Sequence, residues 1–353
     1  ALSGDGTGLA QMPCCRGCIS KGAQSARASI LKAGRPGVYR CHPEQLRGPN
    51  MDVGVIGVGS MGRNHVRVYS ELKGVENVYV FDPVAENAER AKDFAIICGS
   101  MEDLLGMVEA VSICVPTRYH FDVARKAINA GVSCLIEKPI TLTVEEGKEL
   151  LKLLKTSGVM AGVGHIERFN PIVEEIKKIA ERPDYVSIKR HNPTSNRITD
   201  ASVVEDLMIH DIDIVFNVLF KGDEDYKIYS AGTRNVCEAM VVFKDSVVAI
   251  SASRMSSKKF RTFYVEAEDF TTEGDFMAQE VFVYRKPDKY RLENERYTQE
   301  NIIEKVLVNK VEPLKVELKT FMDCARSGKS FPVTPEEALK NLVICEEIKK
   351  GIR

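Results

Sequence analysis

The stretch Met51-Asp52-Val53-Gly54-Val55-Ile56-Gly57-Val58-Gly59-Ser60-Met61-Gly62 decides the fold of this chain. The β-branched run Val53–Ile56 reads as a buried strand, and it breaks at once into glycines spaced G-x-G-x-x-G. Beyond them Val66, Tyr69 and Leu72 recur at helical spacing until Gly74 stops the pattern. Strand, glycine turn and helix in that order make a phosphate cradle. The first glycine permits the tight turn, the second lets backbone approach a pyrophosphate, and the third packs helix against strand, while the helix N-terminus favours negative charge. Asp82 stands twenty residues after Gly62, at the end of a second strand, Val78–Phe81. A carboxylate there accepts hydrogen bonds from ribose hydroxyls and repels a 2′-phosphate, so the pattern predicts NAD in preference to NADP.

Outward from this unit the alternation continues. Ala110–Val115 and Ser133–Ile136 read as buried strands, separated by a helix through Phe121, Ala124, Ala127 and Ile128 that closes at Gly131. Ser100-x-x-Asp103 opens a short helix. Thr143-x-x-Glu146 is a capping box for a helix with leucines at 150, 151, 153 and 154 and Gly158 past its end. Strands alternating with helices predict a parallel, doubly wound sheet. After about residue 170 the pattern changes. Tyr185–Lys189, Tyr226–Ala231, Ala239–Phe243, Val247–Ser251 and Thr262–Glu268 are strand-like, several joined by short polar turns, which predicts an antiparallel sheet. Two helices close the chain, one from near Pro313 to Gly328 and one capped by Thr334. The expected fold class is α/β: a Rossmann doubly wound parallel sheet over residues 51–170, then an α+β domain with a large, mostly antiparallel open sheet over 171–353.

A chain of 353 residues is long enough for two such domains. Its 49 basic and 50 acidic residues nearly cancel, so no overall field draws it to nucleic acid or an anionic membrane. No apolar run approaches the roughly 18 residues of a bilayer span. Residues 1–50 differ in character: they are basic, glycine-rich, hold Cys14, Cys15, Cys18 and Cys41, and show no periodicity. They read as a leader or disordered extension with Met51 as a natural start; an organelle-targeting segment and a zinc site from Cys15, Cys18, Cys41 and His42 are the other readings. The remaining cysteines (98, 114, 134, 237, 324, 345) are scattered in mostly apolar runs and read as buried free thiols of a reducing, cytoplasmic compartment.

Two segments carry candidate chemistry. Glu137-Lys138-Pro139 ends a strand at the edge where doubly wound sheets bind ligands, although an isolated Glu-Lys pair also suits a solvated surface. Ser202–Phe220 reads as a helix opened by Ser202-x-x-Glu205 and apolar over most of its circumference, hence buried. Asp206, His210, Asp213 and Asn217 nevertheless recur on one stripe of it, facing either water or a polar-lined cavity. One turn apart, Asp206 and His210 suit a proton acceptor and the carboxylate that orients it.

The segments VGVIGVGSMGRNH (53–65), VPTRYH (115–120), LIEKPI (135–140) and DLMIHDID (206–213) resemble the glucose–fructose oxidoreductase/inositol dehydrogenase family, Gfo/Idh/MocA. The likeness runs from residue 51 to the C-terminal EPLKVELKTFMDCARSGK and PVTPEEALKNLVI segments. It implies a Rossmann domain followed by an α/β domain whose open sheet commonly mediates oligomerisation, so a homo-oligomer, dimer or tetramer, is expected. The resemblance matches the family's catalytic lysine to Lys138 and its Asp-x-x-x-His pair to Asp206 and His210. Its cofactor loop falls on Pro116, Thr117 and His120, beside Gly57, Gly59, Ser60, Met61, Gly62, Asp82, Glu137 and Lys138 as the NAD site. GHIERFNP (164–171) and the Asn196-Arg197 stretch further resemble prokaryotic UDP-N-acetylglucosamine 3-dehydrogenases. Arginine grips phosphate oxygens bidentately, so Arg168 and Arg197, with Asn170, are the expected substrate residues beside Asp206 and His210, unless the arginines merely pack or pair.

The reading is an NAD-dependent sugar oxidoreductase with a small-molecule substrate, preferably UDP-N-acetylglucosamine oxidised at C3. His210 takes the hydroxyl proton, Lys138 polarises the oxygen, and Asp206 holds His210 or contacts a hydroxyl. No metal is required. An inositol or free-sugar dehydrogenase is the alternative within enzymes, and a non-catalytic NAD-binding redox sensor is the alternative outside them.

Overall fold

In a computed structural model of the chain, which describes residues 50–180, 183–193, 201–287, 290–293, 296–299 and 301–352, the run Met51–Ile56 is a central strand of a parallel sheet. The readings made for residues 1–49 and for Arg197 lie outside the described residues. Six strands form the sheet: β1 (Met51–Ile56), β2 (Val75–Phe81), β3 (Ile96–Ile97), β4 (Ala110–Ile113), β5 (Ser133–Glu137) and β6 (Ala161–Gly164). Their order is β3-β2-β1-β4-β5-β6, all parallel. The reversal beside β1 opens a crevice at the C-terminal strand edge, where the glycine turn, β4 and β5 end.

The local signals operate as chemistry dictates. Ser100 accepts from the Asp103 amide, and Thr143 and Glu146 cap each other reciprocally at the start of the helix Val144–Ser157. Gly158 ends that helix in the left-handed conformation. Each such cap contributes about 1 kcal/mol and fixes where the chain leaves the sheet.

The second sheet has eight strands: β7 (Tyr185–His191), β8 (Tyr226–Thr233), β9 (Val236–Phe243), β10 (Val247–Ser253), β11 (Phe260–Ala267), β12 (Phe270–Asp275), β13 (Glu280–Arg285) and, after the separate hairpin β14 (Tyr290–Glu293) and β15 (Arg296–Gln299), β16 (Ile302–Val306). The order is β16-β13-β12-β11-β7-β10-β9-β8, antiparallel throughout except for β7 beside β10. The strands read from sequence are all present. β12, β13 and β16 lacked a clear signal because β12 is largely polar and every side chain of β16 but the last is exposed.

One face of this sheet packs on the helix Pro171–Ile179 and on the rod that follows residue 202. The sequence predicts an ordinary helix over Ser202–Phe220. The rod instead has π-helical turns, Val204–Met208 and Val215–Leu219, around an α-helical centre, Ile209–Ile214. The Phe220 amide reaches back five residues to the Val215 oxygen at 2.9 Å. Such turns are rare and concentrate at functional sites. Only half of the expected capping box forms: the Glu205 carboxylate accepts from the Ser202 amide, while the Ser202 hydroxyl accepts from the Val204 amide.

The C-terminal helices Pro313–Ser327 and Pro335–Lys349 return to the first layer. Leu314, Leu318, Phe321, Phe331 and Leu342 share a core with β1, β4 and β5, while Ile344 and Cys345 join the second core. Phe331 packs against Gly162 of β6, where any Cβ would meet its ring at 2.3 Å. No described helix is long and apolar enough to cross a membrane.

Candidate active site

The glycine turn is closed toward the protein and open on one side. Gly57 has φ +88°, and a Cβ there would strike the Val115 amide nitrogen at 2.7 Å. A Cβ on Gly62 would sit 1.9 Å from the Gly57 oxygen, whereas one on Gly59 would meet nothing within 4 Å. The helix Ser60–Glu71 begins here with no side-chain cap and no acid in its first turn, which leaves its N-terminal amides for an anion. Asp82 closes the next corner: its Oδ2 accepts from the Val58 amide at 2.7 Å and its Oδ1 from the Val84 amide at 2.8 Å. The dinucleotide fits this cradle because the open side, the bare amides and the acid coincide.

A cavity of about 500 Å³ adjoins the turn. On one side it is lined by Met61, Cys114, Val115, Pro116, Thr117, His120, Glu137, Lys138 and Pro139. On the other stand Ile166, Glu167, Ala201, Glu205, Asp206, His210 and Arg261. The residues expected from sequence to hold cofactor and perform chemistry thus converge from β4, β5 and the rod. His120 is buried, its ring nitrogens 2.7 and 2.9 Å from the carbonyls of Pro139 and Val115, which ties the loop after β4 to the loop after β5. Glu137 is buried and bonded to His65 Nε2 at 3.0 Å. Burial alone would raise its pKa, but the His65 hydrogen bond and charge outweigh that and hold the carboxyl below its ordinary value.

Lys138 Nζ donates to the main-chain oxygen of Asp206 at 2.7 Å and lies 3.7 Å from its Oδ1. The expectation that Asp206 orients His210 is corrected here. Asp206 Oδ2 accepts instead from Arg254 Nε and Nη2, at 3.2 and 3.1 Å, so its carboxylate is held from the end of β10. His210 stands edge-on to His165, ring centroids 6.3 Å apart. Burial, then the charge of Lys138, lowers its pKa well below 6.5, so the ring is neutral at physiological pH.

The polar stripe divides. Asp206 and His210 line the cavity, but Asp213 and Asn217 turn inward to a closed network with Asn341 and Arg168. Arg168, expected to grip substrate, is spent there: Nε and Nη2 bridge Asp213 at 2.8 and 2.6 Å, and Nη2 also meets Glu337. Asn170 is equally committed, capping the helix Pro171–Ile179 and bonding Glu167 and the Phe276 carbonyl. Neither lines the cavity that holds Lys138 and His210; both border a separate groove. Arg254 and Arg261, which nothing in the sequence singled out, take up positions at the site. Each sits at one end of a strand of the second sheet, and only the pairing of that sheet brings them to the rod.

The comparisons agree with this geometry. Residues 51–165 match the family model described as oxidoreductase family, NAD-binding Rossmann fold. Over 250 residues the chain is 34% identical to a UDP-N-acetylglucosamine 3-dehydrogenase of Acidithiobacillus ferrooxidans, covering 67% of this chain and 78% of that one. The chain belongs to the Gfo/Idh/MocA oxidoreductases. A solved structure of the Acidithiobacillus enzyme superposes with a TM-score of 0.76 at 28% identity, over 86% of this chain and 97% of the other. Among other relatives in the family, a scyllo-inositol 2-dehydrogenase (NAD(+)) of Bacillus subtilis is 28% identical over 82% of this chain and 90% of its own. As a Gfo/Idh/MocA member the protein is an NAD-binding oxidoreductase, with its cofactor fold in the parallel sheet.

Proposed function

We propose that the protein oxidises a sugar hydroxyl to a ketone, with UDP-N-acetylglucosamine at C3 as the preferred substrate. The observation that carries the chemistry is the meeting of Lys138 with Asp206 beside a neutral His210, at the open edge of the dinucleotide turn. Gly57, Gly59, Ser60, Met61, Gly62 and Asp82 hold the pyrophosphate and ribose ends of NAD, and Pro116, Thr117, His120, Glu137 and Lys138 its nicotinamide end. Bound there, NAD supplies the hydride acceptor.

The chain's own residues manage the proton. His210, kept neutral by burial and by Lys138, presents a ring lone pair to the substrate hydroxyl. Lys138 Nζ, anchored on the Asp206 oxygen, donates toward the substrate oxygen as it gains carbonyl character. Arg254 holds the Asp206 carboxylate and so fixes the lysine's anchor. Positioning of this kind supplies much of the rate. Residues 51–170 serve the cofactor, and 171–353 the substrate and a homo-oligomer, dimer or tetramer. Tyr229 and Met240, paired across β8 and β9 and both exposed on the outer face, support that last reading. Six free cysteines among the described residues support a reducing, cytoplasmic setting.

The likeness to the Acidithiobacillus enzyme favours the nucleotide sugar. An inositol or free-sugar substrate is the second reading, favoured by the engagement of Arg168 elsewhere and by the inositol dehydrogenase relative. The test is NADH formation with UDP-N-acetylglucosamine, coupled to a 3-keto-sugar aminotransferase and its amino donor so that product is removed. Turnover of inositol or glucose with none of the UDP-sugar would replace the first reading by the second.

A further inference from the structure

The cavity wall also carries a guanidinium, Arg261, that has to share its one carboxylate partner with a second arginine. Arg190 and Arg261 are directly opposed across β7 and β11. Like charges in that register repel, so each needs a partner. Arg190 has its own: it is buried and makes three contacts of 2.6 to 3.0 Å with Asp211. It also takes Glu167 Oε1 at 2.7 Å, and Arg261 must share that same oxygen, at 2.6 Å. One carboxylate oxygen therefore serves two guanidinium groups. Arg261 Nε is buried with no acceptor among the described residues, and a quarter of the side chain (26%) remains exposed. Lys259 adds a further positive charge nearby, with no ion pair of its own among the described residues. Burial and then the charge of Arg190 lower the pKa of Arg261, the direction expected of a crowded cation.

From this arrangement we infer that Arg261, assisted by Lys259, is the residue that receives an anionic group of the substrate, a phosphate of the diphosphate, and so selects charged over neutral sugars. The inference rests on the nucleotide-sugar reading of the same cavity and gives it the cation that Arg168 does not provide. Arg261 lines the cavity with His210 and Glu167, so an anion there holds the sugar beside Lys138. A guanidinium presents its second edge to phosphate oxygens while Glu167 fixes the first.

The test is calorimetric binding of UDP, pyrophosphate and uridine to the NAD-saturated protein, alongside turnover of UDP-N-acetylglucosamine. Arg261→Met is expected to weaken UDP and pyrophosphate about 10- to 100-fold, the scale of one charge-assisted contact, and to leave uridine unchanged. The same variant should raise KM for the UDP-sugar far more than it lowers kcat. Arg261→Lys should restore part of the affinity, and Lys259→Met, on an exposed residue, should weaken UDP several-fold. Should Arg261→Met fail to fold, the other two variants decide. UDP affinity equal to wild type in Lys259→Met and Arg261→Lys, or no binding of UDP and pyrophosphate by the wild type, overturns the anion site. Arg261-dependent UDP binding without oxidation of the UDP-sugar would uphold the anion site and remove UDP-N-acetylglucosamine as substrate.

Discussion

Lys138, at the end of the parallel sheet, reaches across to the rod of the second layer and donates to the main-chain oxygen of Asp206 at 2.7 Å. This bond joins the element that ends at the cofactor to the element that carries His210. A main-chain acceptor fixes the ammonium without consuming a carboxylate, and the Asp206 side chain stays with Arg254.

Lys138→Ala and His210→Ala are each expected to lower kcat by about 10²-fold or more, the scale of positioned acid–base catalysis, with NAD affinity little changed in His210→Ala. Steady-state kinetics beside fluorescence titration of NADH separate the two quantities. Turnover near wild type in both variants would remove them from the chemistry.

The glycines of the turn should behave differently from one another. A Cβ at position 62 collides with the Gly57 oxygen, so Gly62→Ala is expected to lower the melting temperature and abolish cofactor binding together. At Gly59 a Cβ meets no protein atom, so Gly59→Ala should melt like wild type yet bind NAD more weakly. Equal melting temperatures for the two variants would contradict this account of the turn.

Arg168→Met should act on stability and not on substrate affinity. It leaves Asp213, whose carboxyl pKa is held down at about 2 despite its burial, with Arg168 bonded to it twice, without that guanidinium. Breaking a buried pair from one side costs about 3–5 kcal/mol. Urea denaturation measures that loss. A large rise in KM for the sugar with unchanged stability would return Arg168 to the substrate site.

Acid should destabilise the fold below about pH 6.5. Burial holds His165 and His210 neutral in the folded protein, below their ordinary 6.5, while in the unfolded chain both protonate near that value. Below it the unfolded state binds more protons, so stability is fully present above pH 6.5 and falls as the pH drops toward the folded values. Melting temperatures between pH 7.5 and 5.5 should decline, and His210→Gln should flatten the decline. Stability that stays level or rises on acidification would contradict it.

What the sequence determined by itself is local and periodic. The glycine spacing, Asp82 at the end of the second strand, the caps at Ser100, Thr143 and Thr334, and strands β7 to β11 of the second sheet follow from backbone sterics and side-chain repeats, which act within a few residues. The motifs around Lys138 and His210 were legible for the same reason, since each is a short run with a fixed place on its own element. Tertiary structure alone decided which charges close on the protein and which face the cavity. Arg168 finds Asp213 45 residues away and Glu337 169 residues away, and Arg261 finds Glu167 94 residues away. Two arginines alike in sequence therefore become a closed structural bridge and an open cavity cation. A charge is neutralised by whatever lies within a few ångströms in space, and that distance is set by the packing of two sheets and a rod, which no local spacing encodes.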